Sequence, residues 1–148
     1  MVISSVLRSR VFISFCVASV LAVLCAGCGS SDTSPSANVA FSQTDLRIGT
    51  GPDVVNGKTL TVVYTGWLYD ATQPENKGTL FQTNPSFPFV LGTGGVIAGW
   101  DQGIPGMKVG GLRRLVIPPN LAYGSAGNPP SIPGNATLIF EIGVISMQ

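Results

Sequence analysis

Apolar and polar residues alternate along three stretches of the chain, which is typical of strands that bury one face. In residues 58–69 the apolar face consists of Leu60, Val62, Tyr64, Gly66 and Leu68. In residues 136–147 it consists of Leu138, Phe140, Ile142 and Val144, and in residues 112–118 of Leu115 and Ile117. The pattern predicts three strands that turn one face to a core.

Three shorter segments carry weaker strand signals: residues 41–49, 79–82 and 87–91. Pro88 in the last of them predicts an edge strand or a bend, because proline cannot donate to a central ladder. Only residues 97–104 can form a helix, of at most about two turns. The predicted fold class is α+β: a curved antiparallel sheet (a half-barrel) wrapped around one short α-helix.

The first residues follow a different pattern. Arg8 and Arg10 precede 17 uncharged, largely apolar residues (11–27), which end in small residues before Cys28. This arrangement predicts a signal peptide over residues 1–27. Residues 24–28, Leu-Cys-Ala-Gly-Cys, resemble the bacterial lipoprotein signal, in which the last cysteine is lipidated and becomes the mature N-terminus. We expect export, lipidation of Cys28 and attachment to a membrane of the cell envelope.

Two alternatives stay open for this segment: cleavage and secretion without lipid, or an uncleaved anchor. An apolar run of 17 residues is short for the anchor, since spanning takes about 20. Residues 29–38 are small and polar and predict a flexible tether, joined to the lipidated Cys28 and reaching roughly 15–20 Å on average. Residues 39–148 form the predicted domain, which contains no cysteine because Cys16 and Cys25 lie in the segment to be removed.

Composition narrows the chemistry of the domain. The chain has 19 Gly and 11 Pro, few charges (10%) and no histidine. Without histidine, histidine general-base catalysis and most catalytic metal sites are excluded, so we expect neither metal nor cofactor. Removal of residues 1–27 leaves six basic and seven acidic residues (8 − 2 against 7), a net charge of −1 with no basic run. Nucleic acid is therefore not an expected partner.

Four short motifs follow one another in the domain. They are Tyr-Thr-Gly (64–66), Val-Ile-Ala-Gly-Trp (96–100), Ala-Tyr-Gly (122–124) and Ala-Thr-Leu-Ile-Phe (136–140). In this order and spacing the chain, from about Asp45 to its C-terminus, resembles the FKBP-type (macrolide-binding) peptidyl-prolyl isomerases. Gly92–Gly95, by contrast, lacks the spacing of a phosphate-binding loop and predicts a turn.

The resemblance implies a hydrophobic pocket in which Trp100, at the start of the helix, forms the floor under a bound proline ring. It implies that Val96 and Ile97 line the entrance and that the Ile97 backbone N–H binds a substrate carbonyl. The catalytic residues it implies are Tyr64, Phe81, Gln82, Trp100, Tyr123 and Phe140. The substrate-binding residues it implies are Phe87, Val96, Ile97 and Ile132.

Pattern alone favours Trp100, Tyr64 and Phe140 as core aromatics, since buried rings usually are, and only the set of ordered motifs favours the pocket. The chain also departs from the family pattern, with Gln82 where aspartate is typical and Asn128 and Ser131 in the loop above the pocket. We expect a monomeric prolyl isomerase that acts on exported, proline-containing polypeptides and binds macrolide inhibitors. The alternatives are a proline-peptide-binding chaperone or adhesin module without turnover, and a purely structural lipoprotein.

Overall fold

The computed structural model describes residues 39–148. In this part of the chain, five antiparallel strands form one sheet in the order β1-β4-β5-β2-β3. The strands are β1 (Ser42–Arg47), β2 (Thr59–Tyr69), β3 (Lys77–Val90), β4 (Leu112–Ile117) and β5 (Leu138–Met147). One α-helix, α1 (Ala98–Gly103), and two 3-10 turns, Pro74–Asn76 and Pro119–Leu121, complete the described elements. The predicted α+β fold is confirmed.

The predicted signal peptide, Cys28 and the tether all lie outside the described residues. Among the helices of residues 39–148, none is long and apolar enough to cross a membrane.

The three strands with the clearest alternation, β2, β4 and β5, lie beside one another in the sheet. Their predicted inward positions are buried except Leu68, which is half-buried near the end of β2, and Leu60, Val62, Leu115, Ile117, Leu138 and Ile142 have no exposed surface. Ile139, on the opposite parity of β5, is also fully buried. The alternation therefore predicted which face of each strand packs on the core.

The prediction of two short strands over residues 79–82 and 87–91 was wrong, because β3 is one continuous strand of 14 residues. Its pairing with β2 shifts register at three points, where β3 carries more residues than its partner. Such bulges bend a strand and increase its twist, and they interrupt the alternation from which strands are predicted. β3 is an edge strand, so the prediction from Pro88 is confirmed.

The helix α1 lies very close to β4. A Cβ atom on Gly99 would lie 2.5 Å from Cγ2 of Ile117, and one on Gly103 would lie 2.6 Å from Cδ2 of Leu115. The two glycines are four residues apart and therefore share one face of the helix. The missing side chains let the helix backbone rest directly on the inward side chains of β4.

Arg113 holds the C-terminal end of α1 through hydrogen bonds. This side chain of β4 is buried, and its guanidinium donates to the backbone oxygens of Gly103 (2.8 Å) and Pro105 (3.2 Å), where the helix ends. It also donates twice to the Asp45 carboxylate on β1, at 2.6 and 3.0 Å. The hydrogen bond from Arg113 lowers the pKa of Asp45. One arginine thus joins two strands and satisfies the carbonyls that a helix C-terminus leaves open.

The neighbouring Arg114 points to the opposite face of the sheet. There it pairs with Glu141 and Glu75, each at 2.7 Å, and Lys77 pairs with the same two carboxylates. Hydrogen bonds from Arg114 and Lys77 lower the pKa of Glu75 to about 2. Burial alone would raise the pKa of Glu141, but its bonds to Lys77 and Arg114 outweigh burial and lower it. This network ties β3, β4 and β5 together on the outer face.

We expect Arg113→Ala to lower the free energy of unfolding by about 3 kcal/mol, because it leaves buried helix carbonyls without a donor. Arg114→Ala is the matched control: it removes a guanidinium from a more exposed site, so it should lower the free energy of unfolding by clearly less. Urea denaturation of the two variants and the wild type measures both values. Equal losses would contradict the role given to Arg113.

Candidate active site

A cavity of about 150 Å³ opens on the concave side of the sheet, above α1. It is lined by Tyr64, Gln82, Phe87, Gly95, Val96, Ile97, Trp100, Tyr123 and Phe140. Among these lining side chains none carries a charge at neutral pH. The cavity is therefore an aromatic and aliphatic site with a few neutral polar groups, as small-molecule and peptide-side-chain sites commonly are.

Trp100 is the centre of this aromatic cluster. It lies in the first turn of α1, is only 4% exposed, and meets Tyr64 and Phe140 with ring centroids 4.9 and 5.3 Å apart at nearly perpendicular angles. Edge-to-face contacts of this kind are favourable beyond the area they bury. The indole Nε1 is buried without a hydrogen-bond partner. The indole ring is therefore held by packing against other rings.

A bulge in β3 supplies the wall opposite the helix. Gly66 pairs with Gln82 and Trp67 with Leu80, which leaves Phe81 as an extra residue on β3. Phe81 packs on Phe140 with centroids 5.5 Å apart, while the next residue, Gln82, lines the cavity. Two consecutive side chains thus face inward, as a regular strand would not allow.

The entrance is made of Gly95, Val96 and Ile97, which lead into α1. Ile97 has extended backbone angles, and its carbonyl accepts the N–H of Trp100 at 2.9 Å. Among residues 39–148, its own N–H has no hydrogen-bond partner. A free backbone donor therefore stands at the cavity mouth, next to the buried indole.

Tyr123 stands on the loop after the second 3-10 turn and lines the cavity from the other side. Burial raises the pKa of its hydroxyl above the usual 10.0. Burial, and secondly the proximity of Tyr123, also raises the pKa of Tyr64. Both phenols therefore stay protonated at neutral pH and keep an O–H that can donate a hydrogen bond.

The structure brings eight of the ten predicted pocket residues to the cavity: Tyr64, Gln82, Phe87, Val96, Ile97, Trp100, Tyr123 and Phe140. Phe81 does not line it and packs edge-to-face on Phe140, which does. Ile132 is buried in the core, in a short bridge with Asn128, and is not a lining residue either. The roles given to these residues stay predictions.

Sequence reasoning missed two residues next to the site. Gly95 lines the entrance. Phe89 is buried against Trp100, with centroids 5.7 Å apart, and stacks on Phe87. Phe89 could have been predicted from Phe87, since residues two apart on a strand share a face.

Comparison with known proteins agrees with this geometry. The family model for the FKBP-type peptidyl-prolyl cis-trans isomerase matches residues 51–145. The chain is 45% identical over 103 residues to the FK506-binding protein of Neisseria meningitidis serogroup A, covering 70% of this chain and 92% of that protein. It also resembles the crystal structure of AtFKBP13, with a TM-score of 0.64, 36% identity and coverage of 73% and 93%. The chain belongs to the FKBP-type peptidyl-prolyl cis-trans isomerase family.

Some relatives are much longer. The chain is 48% identical over 107 residues to the 46 kDa FK506-binding nuclear protein of Spodoptera frugiperda, covering 70% of this chain but 24% of that protein. It thus spans about a quarter of that relative's length, and what they share is this one domain.

The sequence-based prediction of the family is confirmed by the family model and by these relatives.

We expect the affinity of the cavity for a proline-containing peptide to be constant between pH about 5 and about 9, since its lining groups do not titrate there. Because the pKa of Tyr123 is raised, its donor hydroxyl is present below the usual value of 10.0 and is lost only above it. A fluorescence titration across pH measures this, with Tyr123→Phe as the control in which the part of the high-pH loss due to Tyr123 is absent and the part due to Tyr64 remains. A sigmoidal change near neutral pH would contradict the assignment.

Proposed function

We propose that the domain accelerates cis–trans rotation about X–Pro bonds, without a covalent intermediate. The observation that carries this proposal is the uncharged aromatic cavity around Trp100, with the free N–H of Ile97 at its mouth and the Tyr123 hydroxyl in its wall. Family membership supports the same reaction. Its substrates would be proline-containing polypeptides, and macrolides of the kind named in its FK506-binding relatives would compete for the cavity.

The reaction needs no bond to be broken. Rotation about the amide bond has a barrier of about 18–20 kcal/mol and takes tens to hundreds of seconds unaided. The planar amide owes its stiffness to charge separation between nitrogen and oxygen, which water stabilises. The twisted transition state has less of this separation. An environment that solvates charge poorly therefore penalises the planar state more than the twisted one.

The cavity offers such an environment. Its rings from Tyr64, Phe87, Trp100 and Phe140 would surround the proline, while two donors hold the peptide bent: the Ile97 N–H and the Tyr123 O–H, each on a carbonyl of the substrate. Each 1.4 kcal/mol of preferential stabilisation gives a factor of ten, so a net gain of about 4–6 kcal/mol corresponds to roughly 10³–10⁴.

One observation favours a second candidate, a proline-peptide-binding module without turnover. Gln82 lines the cavity where the resemblance leads one to expect an aspartate. An amide can pair with a phenol or a substrate N–H, but it brings no charge to the site. If the acid is needed for turnover, the cavity of this chain would bind peptide without accelerating its cis–trans isomerisation.

We expect the purified protein to accelerate isomerisation of a short X–Pro peptide, and Tyr123→Phe to lower kcat/KM about tenfold by removing one donor. Tyr69→Phe, a tyrosine outside the cavity, is the matched control and should leave the rate unchanged. Gln82→Asp separates the two candidates. No acceleration by the wild type, together with a gain in Gln82→Asp, would sink the isomerase proposal and leave the binding module.

We further propose that the domain is exported and held at a membrane of the cell envelope by lipid on Cys28, as a monomer on the tether of residues 29–38. The support is in the sequence: two arginines, an uncharged apolar run and the Leu-Cys-Ala-Gly-Cys segment at 24–28. A tether of this composition keeps the domain near the membrane without fixing its orientation.

This second proposal predicts that the mature protein begins at Cys28, carries lipid and sediments with membranes when expressed in bacteria. Cys28→Ser should abolish the lipid mass and release the protein or leave the precursor uncleaved. Cys25→Ser is the matched control, because that residue lies in the removed segment, and it should change nothing. Mass spectrometry of the N-terminal peptide decides; loss of lipid in Cys25→Ser and not in Cys28→Ser would place the anchor elsewhere.

A further inference from the structure

The residue after Trp100 holds the loop that leads to the cavity mouth. Oδ1 of Asp101 accepts the backbone N–H of Gly92 at 2.8 Å, and Oδ2 accepts that of Gly94 at 3.0 Å. Both glycines have positive φ, +79° and +73°, a backbone conformation that residues with a side chain rarely adopt. Hydrogen bonds to an ionised acceptor are stronger than those between neutral groups. The carboxylate therefore clamps the turn at two points.

The clamped turn continues directly into the entrance of the cavity. Gly95, Val96 and Ile97 follow Gly94 without a break, and all three line the cavity. Ile97 is also the N-cap residue of α1 and carries the free N–H at the mouth. A shift of the turn at Gly94 therefore moves this donor relative to the indole of Trp100.

The helix that carries Asp101 is itself fixed on its opposite side and at its end. Gly99 and Gly103 bring it against β4, and Arg113 holds its last carbonyl. Trp100 and Asp101 are adjacent on this fixed helix. The side chain of the first contributes to the cavity, and the side chain of the second sets the loop above it.

We propose that Asp101 is a positioning residue of the active site, which sets the Ile97 N–H at the right height over Trp100 for the substrate carbonyl. Asp101 does not line the cavity, and it acts through the turn that it holds. This inference rests on the proposed function, because it concerns the donor that the proposed isomerase uses.

A graded set of variants of the full chain tests it. Asp101→Asn keeps one acceptor and replaces the other by a donor, so one of the two bonds is lost; Asp101→Ala loses both. We expect kcat/KM to fall about threefold in Asp101→Asn and about tenfold in Asp101→Ala. The loss should lie mainly in KM, since the carbonyl contact is made in the bound substrate as well as in the transition state. Asp101→Glu, which keeps the carboxylate, should recover part of it.

Asp70→Asn is the matched control. The Asp70 carboxylate also holds a turn, accepting from the N–H and the hydroxyl of Thr72 at 2.9 and 2.7 Å, but it does not line or adjoin the cavity. This variant should leave KM unchanged. Hydrogen exchange of the Gly92 and Gly94 amides provides a readout apart from activity, and it should accelerate in the order wild type, Asp101→Asn, Asp101→Ala.

The outcomes separate this inference from the proposed function. If the wild type gives no turnover, the isomerase proposal fails, and the dissociation constant of the same X–Pro peptide takes the place of KM; a graded loss of affinity over the Asp101 series still supports the positioning role. If the amides exchange faster while KM and peptide affinity stay at the wild-type values, the positioning role is overturned. Equal losses in Asp70→Asn would overturn it as well, because they would report a general loss of structure.

Discussion

The arrangement of the whole site depends on the contact between α1 and β4, where two glycines let a helix backbone rest on Ile117 and Leu115. A six-residue helix has little stability of its own, since isolated helices of this length do not form in water. Its place in the fold comes from packing and from the Arg113 bonds to the carbonyls at its end. Trp100 lies on this helix, so its position in the cavity is fixed by a contact on the face of α1 that is turned away from the cavity.

The other walls are built on the sheet, and they depend on its irregularities. The bulge at Phe81 turns two consecutive side chains inward, and Gly66 leaves room for it: a Cβ there would lie 2.6 Å from Cζ of Phe81. Rigid elements thus bear the aromatic residues, while the free Ile97 N–H stands on a turn that Asp101 clamps. The apolar part of the site and its donors are therefore held by different interactions, the first by packing and the second by hydrogen bonds.

Part of this was open to prediction from local periodicity, because alternation identified the faces of β2, β4 and β5. Residues 97–104 predicted the helix, and the resemblance to the FKBP-type isomerases, rather than periodicity, predicted most of the cavity lining. The structure differed from the prediction at two points: β3 is one continuous strand whose bulges absorb the extra residues, and Phe81 and Ile132 do not line the cavity. Arg113 and Asp101 could not be assigned from sequence. Their charges suggest a solvated surface. Arg113 bonds to partners 10 and 68 residues away in the sequence, and Asp101 to partners 7 and 9 residues away, so only the fold brings these groups together.

The two edge strands of the sheet, β1 and β3, differ from each other, and both limit how copies of the molecule can associate. An open strand edge is a template for edge-to-edge pairing and aggregation unless it is shortened, charged or distorted. β3 is long, but its bulges and Pro88 interrupt the regular row of donors and acceptors. β1 has only six residues, carries Asp45 and Arg47, and shifts register against β4 at Leu46. The domain can therefore expose an apolar cavity to its surroundings while offering neighbouring copies no long, flat strand with which to polymerise.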